Sequence, residues 1–72
     1  MTDRIETIVG KAILYTQEIL NVGAANWSIA RGGLTKMAVN LESAAPGHPA
    51  LEALRRFIEE NDALYGGADV RH

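Results

Sequence analysis

The chain has 72 residues, a formal net charge of −2 and no cysteine. A polypeptide this short buries only about 60% of the surface it exposes when unfolded, and one core of that size supplies roughly 3–5 kcal/mol net. Its composition removes disulfides and thiolate metal sites, and its two histidines, His48 and His72, are too few for a nitrogen-only site.

What remains to stabilise it is efficient helix packing or self-association, so a homodimer is expected. The slight acidity argues against nucleic acid as the main partner, because phosphate binding rests on many Lys and Arg contacts. With 47% hydrophobic and 22% charged residues the composition is globular. No apolar run approaches the ~18 residues of a membrane span. The opening residues lack the basic-then-apolar order of a secretion signal, and the absence of cysteine fits the cytosol. A cytoplasmic protein is expected, with no cofactor and no metal.

Asp3 followed by Glu6 has the form of a capping box, and both charges suit the positive end of a helix dipole. From there the apolar residues fall on helical spacing. Ile5, Ile8, Ala12, Tyr15, Ile19, Val22 and Ile29 form one row at steps mostly of three and four. Ile13, Leu20, Trp27, Leu34 and Leu41 form a second that repeats every seven. Both are helix periods, and the first is the spacing of a helix that packs on other helices. Gly10 interrupts the helix at a cost of about 1 kcal/mol, either for a close helix approach or as a tolerated glycine.

Asn21-Val22-Gly23 can close a helix, but the two rows run through it in phase. The expected element is therefore one long helix over 3–31, bent at Gly23 at most. Gly32-Gly33 is the expected break, since adjacent glycines cost about 2 kcal/mol in a helix interior. A short helix over 34–43 follows, although Trp27, Leu34 and Leu41 keep their period across the glycines. Pro46, Gly47 and Pro49 mark the clearest boundary, with Pro49 suited to the first position of a new helix. That last helix is expected over 49–65, with Glu52–Arg56 and Arg55–Glu59 as ion pairs four residues apart. Gly66-Gly67 stops it, and 66–72 is a frayed tail. The expectation is a single all-α domain: a long N-terminal helix, a short helix and a C-terminal helix, packed as a helical homodimer.

No residue pattern suggests catalysis. Ser28 and Ser43 are the only serines and neither sits in a nucleophile turn. His48 lies in a Pro/Gly loop, where capping the last helix or facing solvent is its ordinary role. Glu52, Glu59, Glu60 and Asp62 do not form a calcium loop, and Arg31-Gly32-Gly33 lacks the strand and Lys-Ser/Thr ending of a phosphate loop. The helices over 34–43 and 49–65 invite comparison with a helix-turn-helix repressor or antitoxin. Their loop is longer than the usual turn, and acidic residues on the second helix would repel phosphate. Trp27 has two readings, a core residue on the seven-residue row or an anchor at an interface, where Trp, Tyr and Arg dominate. Arg31, Arg55, Arg56 and Tyr65 join Trp27 as candidate partner-binding residues. The Ile5, Ile8, Ala12, Tyr15, Ile19, Val22, Ile29 row is the candidate dimer or core stripe.

Three segments carry a family resemblance: Asp3-Arg4-Ile5-Glu6-Thr7-Ile8-Val9-Gly10, Asn26-Trp27-Ser28-Ile29-Ala30-Arg31-Gly32-Gly33 and Ala50-Leu51-Glu52-Ala53-Leu54-Arg55-Arg56-Phe57-Ile58. With them the chain resembles the small helical anti-activators encoded early in some transposable phages. The resemblance implies a helical homodimer that binds a LuxR-type quorum-sensing transcription regulator in the host cytoplasm and keeps it from its promoters. It also implies inhibition of the type IV pilus assembly ATPase. It carries over no individual functional residue. The residues and the resemblance agree on class: a non-enzymatic protein that works by occupying a surface. The alternatives are the DNA-binding repressor or antitoxin and an accessory subunit of a larger assembly.

Overall fold

A computed structural model describes residues 3–66, and these are helical almost throughout, with no strand among them. Helix α1 is Arg4–Val22, α2 is Trp27–Ala44 and α3 is Pro49–Asn61, with a 3₁₀ turn at Ala24–Asn26 and a wide π turn at Asp62–Gly66. Among these residues no helix is long and apolar enough to cross a membrane. The tail expected at 66–72 lies, from residue 67 onward, outside the described residues.

Two of the three helices, α1 and α3, begin where side-chain caps put them. The Asp3 carboxylate accepts from the Ile5 amide at 2.7 Å and starts α1. His48 does the same for α3, its ring Nδ1 accepting from the Ala50 amide at 3.0 Å, with Pro49 in the first turn. Gly47 makes the turn before it with φ of 76°, a conformation that favours glycine.

The single long helix expected over 3–31 is corrected: the chain breaks at Gly23 and not at Gly32-Gly33. Gly23 is extended, and its amide still donates to Ile19 O at 3.2 Å. The Asn26 side chain then returns to donate a second hydrogen bond to the same carbonyl at 3.1 Å. The side chain thus takes the second lone pair of a carbonyl in the last turn of α1 and ties the 3₁₀ turn back to that helix. Gly32 and Gly33 instead lie inside α2, which runs 18 residues rather than the ten expected over 34–43. Helical packing on both sides outweighs their propensity cost. Nothing stands within 4 Å of where a Cβ would be at Gly10, Gly32 or Gly33, so none of the three is a close-approach glycine.

The core lies where the helices converge on α3, which contacts α2 and α1 more extensively than those two contact each other. Val9, Trp27, Leu34, Ala38 and Leu54 are buried there, with Ile13, Leu20, Leu41 and Phe57 packed against them. The whole seven-residue row is thus core. Buried polar side chains are satisfied locally: Thr16 donates to Ala12 O and Asn61 to Phe57 O, each at 2.8 Å. Arg55 pairs across the helix interface with Glu42 at 2.6 Å, in place of the expected Glu59 on its own helix.

Candidate interaction surface

The row that starts at Ile5 divides in two. Ile5, Ala12 and Ile19 are half-buried along the edge of the core. Ile8, Tyr15, Val22 and Ile29 face outward, at 37%, 67%, 86% and 78% exposure. The first three form a straight file on α1, because seven residues are nearly two helical turns. Ile29 follows on α2, beyond the corner at Gly23. Leu14, Val39 and Leu64 are further large apolar side chains left outside. Scattered exposed apolar residues are ordinary. A file of them in register beside a half-buried file is the geometry of a helix with one packing face unused.

The five candidate partner-binding residues do not form one site. Trp27 is 2% exposed, so in this fold it is a core residue. Its indole meets the Phe57 ring edge-on with centroids 6.3 Å apart, and the Tyr65 ring lies 6.5 Å away at a tilt. The indole N–H donates to Asp62 Oδ1 at 2.9 Å, and Arg31 Nε reaches both oxygens of that carboxylate, at 2.7 and 2.9 Å. Trp27, Arg31 and Tyr65 therefore gather around Asp62, where the π turn closes over the start of α2. The Arg31 hydrogen bond, helped by the Trp27 N–H, holds the Asp62 carboxyl below its ordinary range against a desolvation that would raise it. The same hydrogen bond raises Arg31.

Arg55 and Arg56 stand elsewhere, along an open groove of about 310 Å³ lined also by Glu42, His48, Glu52 and Glu59. Charges of both signs alternate there, and Arg55 is already engaged by Glu42. Asp62 is the residue that sequence reasoning passed over, having weighed it as a calcium ligand beside Glu52, Glu59 and Glu60. Trp27 and Arg31, four apart on one helix face, offered the only hint that something polar sits opposite them.

A second polar junction ties the helix starts together. Because His48 Nδ1 accepts from Ala50, its proton sits on Nε2, which donates to Asp3 Oδ2 at 3.0 Å. One imidazole thus caps α3 and braces the cap of α1. The His48 hydrogen bond, followed by that from the Ile5 amide, lowers the Asp3 carboxyl. Both junctions close existing helix ends and leave no open acid–base pair aimed at a cleft.

Compared with known proteins, the chain matches no family model, no curated protein and no solved structure.

Proposed function

We propose that this chain is a binding protein that acts by covering a surface of another protein, and that it does so as a homodimer. The observation that carries this reading is more exposed apolar surface than one partner helix would cover: the outward file Ile8, Tyr15 and Val22 on α1, which suits a second copy, and Leu14, Ile29, Val39 and Leu64 outside that file. A chain of 72 residues has little apolar side chain to spare, yet several of its largest apolar groups stay in water. An uncovered apolar surface of this kind is a recognised mark of a protein-binding face.

For the target, the resemblance to phage anti-activators favours a LuxR-type transcription regulator in the host cytoplasm, with the type IV pilus assembly ATPase as a second. A net charge of −2 is compatible with a basic DNA-binding domain as the surface covered, charge complementarity speeding the encounter. Blocking would then be competitive: DNA and inhibitor would exclude each other from one face of the regulator.

The test is titration of purified protein into a complex between a LuxR-type regulator and its promoter DNA. The expected result is release of DNA with no ternary complex. Retention of DNA at saturating protein, with no binding to free regulator, would refute the target. Binding of the protein itself to DNA, weakening steeply with salt, would favour the repressor reading instead.

A further inference from the structure

The apolar arc of α1 is wider than its neighbours cover. Val9 and Thr16 point into the core, and Ile13 and Leu20 pack against it. Beside them run two files at seven-residue steps: Ile5, Ala12 and Ile19, half-buried, and Ile8, Tyr15 and Val22, exposed. Together they make an unbroken seam at steps of three and four, the spacing of a helix that packs along a second helix. The seam fills α1 from end to end, since Asp3 caps the helix just before Ile5 and Gly23 ends it just after Val22.

We propose that a second copy of this chain covers the seam, α1 against α1 and antiparallel, about a two-fold axis between Ile13 and Leu14. This inference deepens the homodimer reading above and rests on it. In that register every seam position meets another. Ile5 lies opposite the partner's Val22, Ile8 opposite the partner's Ile19, and Ala12 opposite the partner's Tyr15. The smallest side chain of the seam thus faces the largest, as close packing requires. Sliding the helices by a heptad leaves apolar residues without a counterpart at both ends.

Charge selects the same arrangement. One flank of the seam is Val9 and Thr16, already buried. The other flank carries Arg4, Lys11 and Glu18, again at seven-residue steps and all exposed. Lys11 and Glu18 take no part in the ion pairs formed among the described residues. In an antiparallel pair the exposed flanks face each other, so Lys11 meets the partner's Glu18 and Glu18 meets the partner's Lys11. A two-fold interface makes each contact twice. A parallel pair would set these charges beside the buried flank, where they find no counterpart.

The experiment is charge reversal read by sedimentation equilibrium on the full chain. Lys11→Glu and Glu18→Lys each turn two attractions into two repulsions. Each is expected to weaken the dimer about tenfold, at the scale of exposed ion pairs. The double variant Lys11→Glu/Glu18→Lys restores the pairing and should return to within about threefold of the parent. Both positions of change lie off the core, and circular dichroism checks that each of the three variants keeps its helices.

Orientation is read by cysteine, in a chain that has none. Mixed Ile5→Cys and Val22→Cys chains should cross-link on mild oxidation, whereas Val22→Cys alone should not. A monomeric parent at 100 micromolar (about the limit of a useful weak dimer), single reversals without effect, failure of the double variant to recover, or self-cross-linking through Val22→Cys would each overturn the proposal. These readouts use the purified chain alone, so failure to bind a regulator is a separate result.

Discussion

Replacing Gly32 and Gly33 by alanine should stabilise this protein, although two adjacent glycines are the strongest helix-breaking signal in its sequence. Both lie in the interior of α2, both are exposed, and a Cβ at either would meet nothing within 4 Å. Neither has a positive φ; Gly47 alone among the described glycines does. Each substitution therefore removes unfolded-state freedom at no steric cost, worth about 0.5–1 kcal/mol. The double variant should gain about 1–2 kcal/mol, and in a domain this small each kcal/mol raises Tm by roughly 4–8 °C. Thermal and urea unfolding followed by far-UV circular dichroism, at fixed protein concentration, measures it. Gly47→Ala is the internal control, because its φ of 76° makes the same change cost about 1–2 kcal/mol. A loss of stability on Gly32→Ala or Gly33→Ala would mean that the chain turns there and that α2 is not one continuous helix.

Three further outcomes follow from particular contacts. Trp27→Ala empties the centre of the core at a cost of about 3–5 kcal/mol, comparable to the whole net stability of such a chain, so it should unfold in calorimetry; Trp27→Phe should fold but lose the indole hydrogen bond to Asp62. Asp62 and Asp3 both have their carboxyl pKa lowered in the folded state from an ordinary 3.8, so the stability they add is complete above that value and is lost as pH falls below it. Acid unfolding should accordingly be shallower in Asp62→Asn than in the parent, and identical acid limbs would show that the Arg31–Asp62 pair does not survive in solution. Asn26→Ala removes the side chain that donates to Ile19 O at the end of α1, and should cost about 1 kcal/mol in urea unfolding.

The all-helical class and the core were legible in the sequence because burial leaves a period. Ile13, Leu20, Trp27, Leu34 and Leu41 recur every seven residues and all are packed in the core or against it. That same regularity hid the corner at Gly23. The extended glycine and the 3₁₀ turn consume about the number of residues that a helical turn would, so the row resumes on α2 without a change of phase. What closes the corner is one side-chain hydrogen bond from Asn26 to Ile19, seven residues back, a contact that no periodicity reports. The helix caps were legible since their partners lie within a few residues: Asp3 with Ile5, His48 with Ala50. Asp62 was not, because its partners Trp27 and Arg31 are 35 and 31 residues away. The gathering of Trp27, Arg31 and Tyr65 around it depends on where the end of α3 lands, and local pattern does not fix that.

If α1 pairs with its own copy, the surface left for a target is narrowed. Ile8, Tyr15 and Val22 would be consumed in the dimer, leaving Leu14 on α1, Ile29 and Val39 on α2, and Leu64 and Tyr65 on the π turn as exposed large apolar residues. Leu64 and Tyr65 flank a groove of about 300 Å³ with Ala24, Ala25 and Ser28, and it sits beside the Asp62 junction that holds the π turn in place. A target that seats there would depend on Asp62 through the position of Leu64, without touching the carboxylate. Asp62→Asn and Leu64→Ala should then both weaken regulator binding while leaving the dimer intact. Val22→Glu should do the reverse at the level of a single chain, abolishing the dimer first and weakening regulator binding only through the loss of bivalency. Equal losses of dimer and target binding in Leu64→Ala would place both partners on one face and contradict this division of the surface.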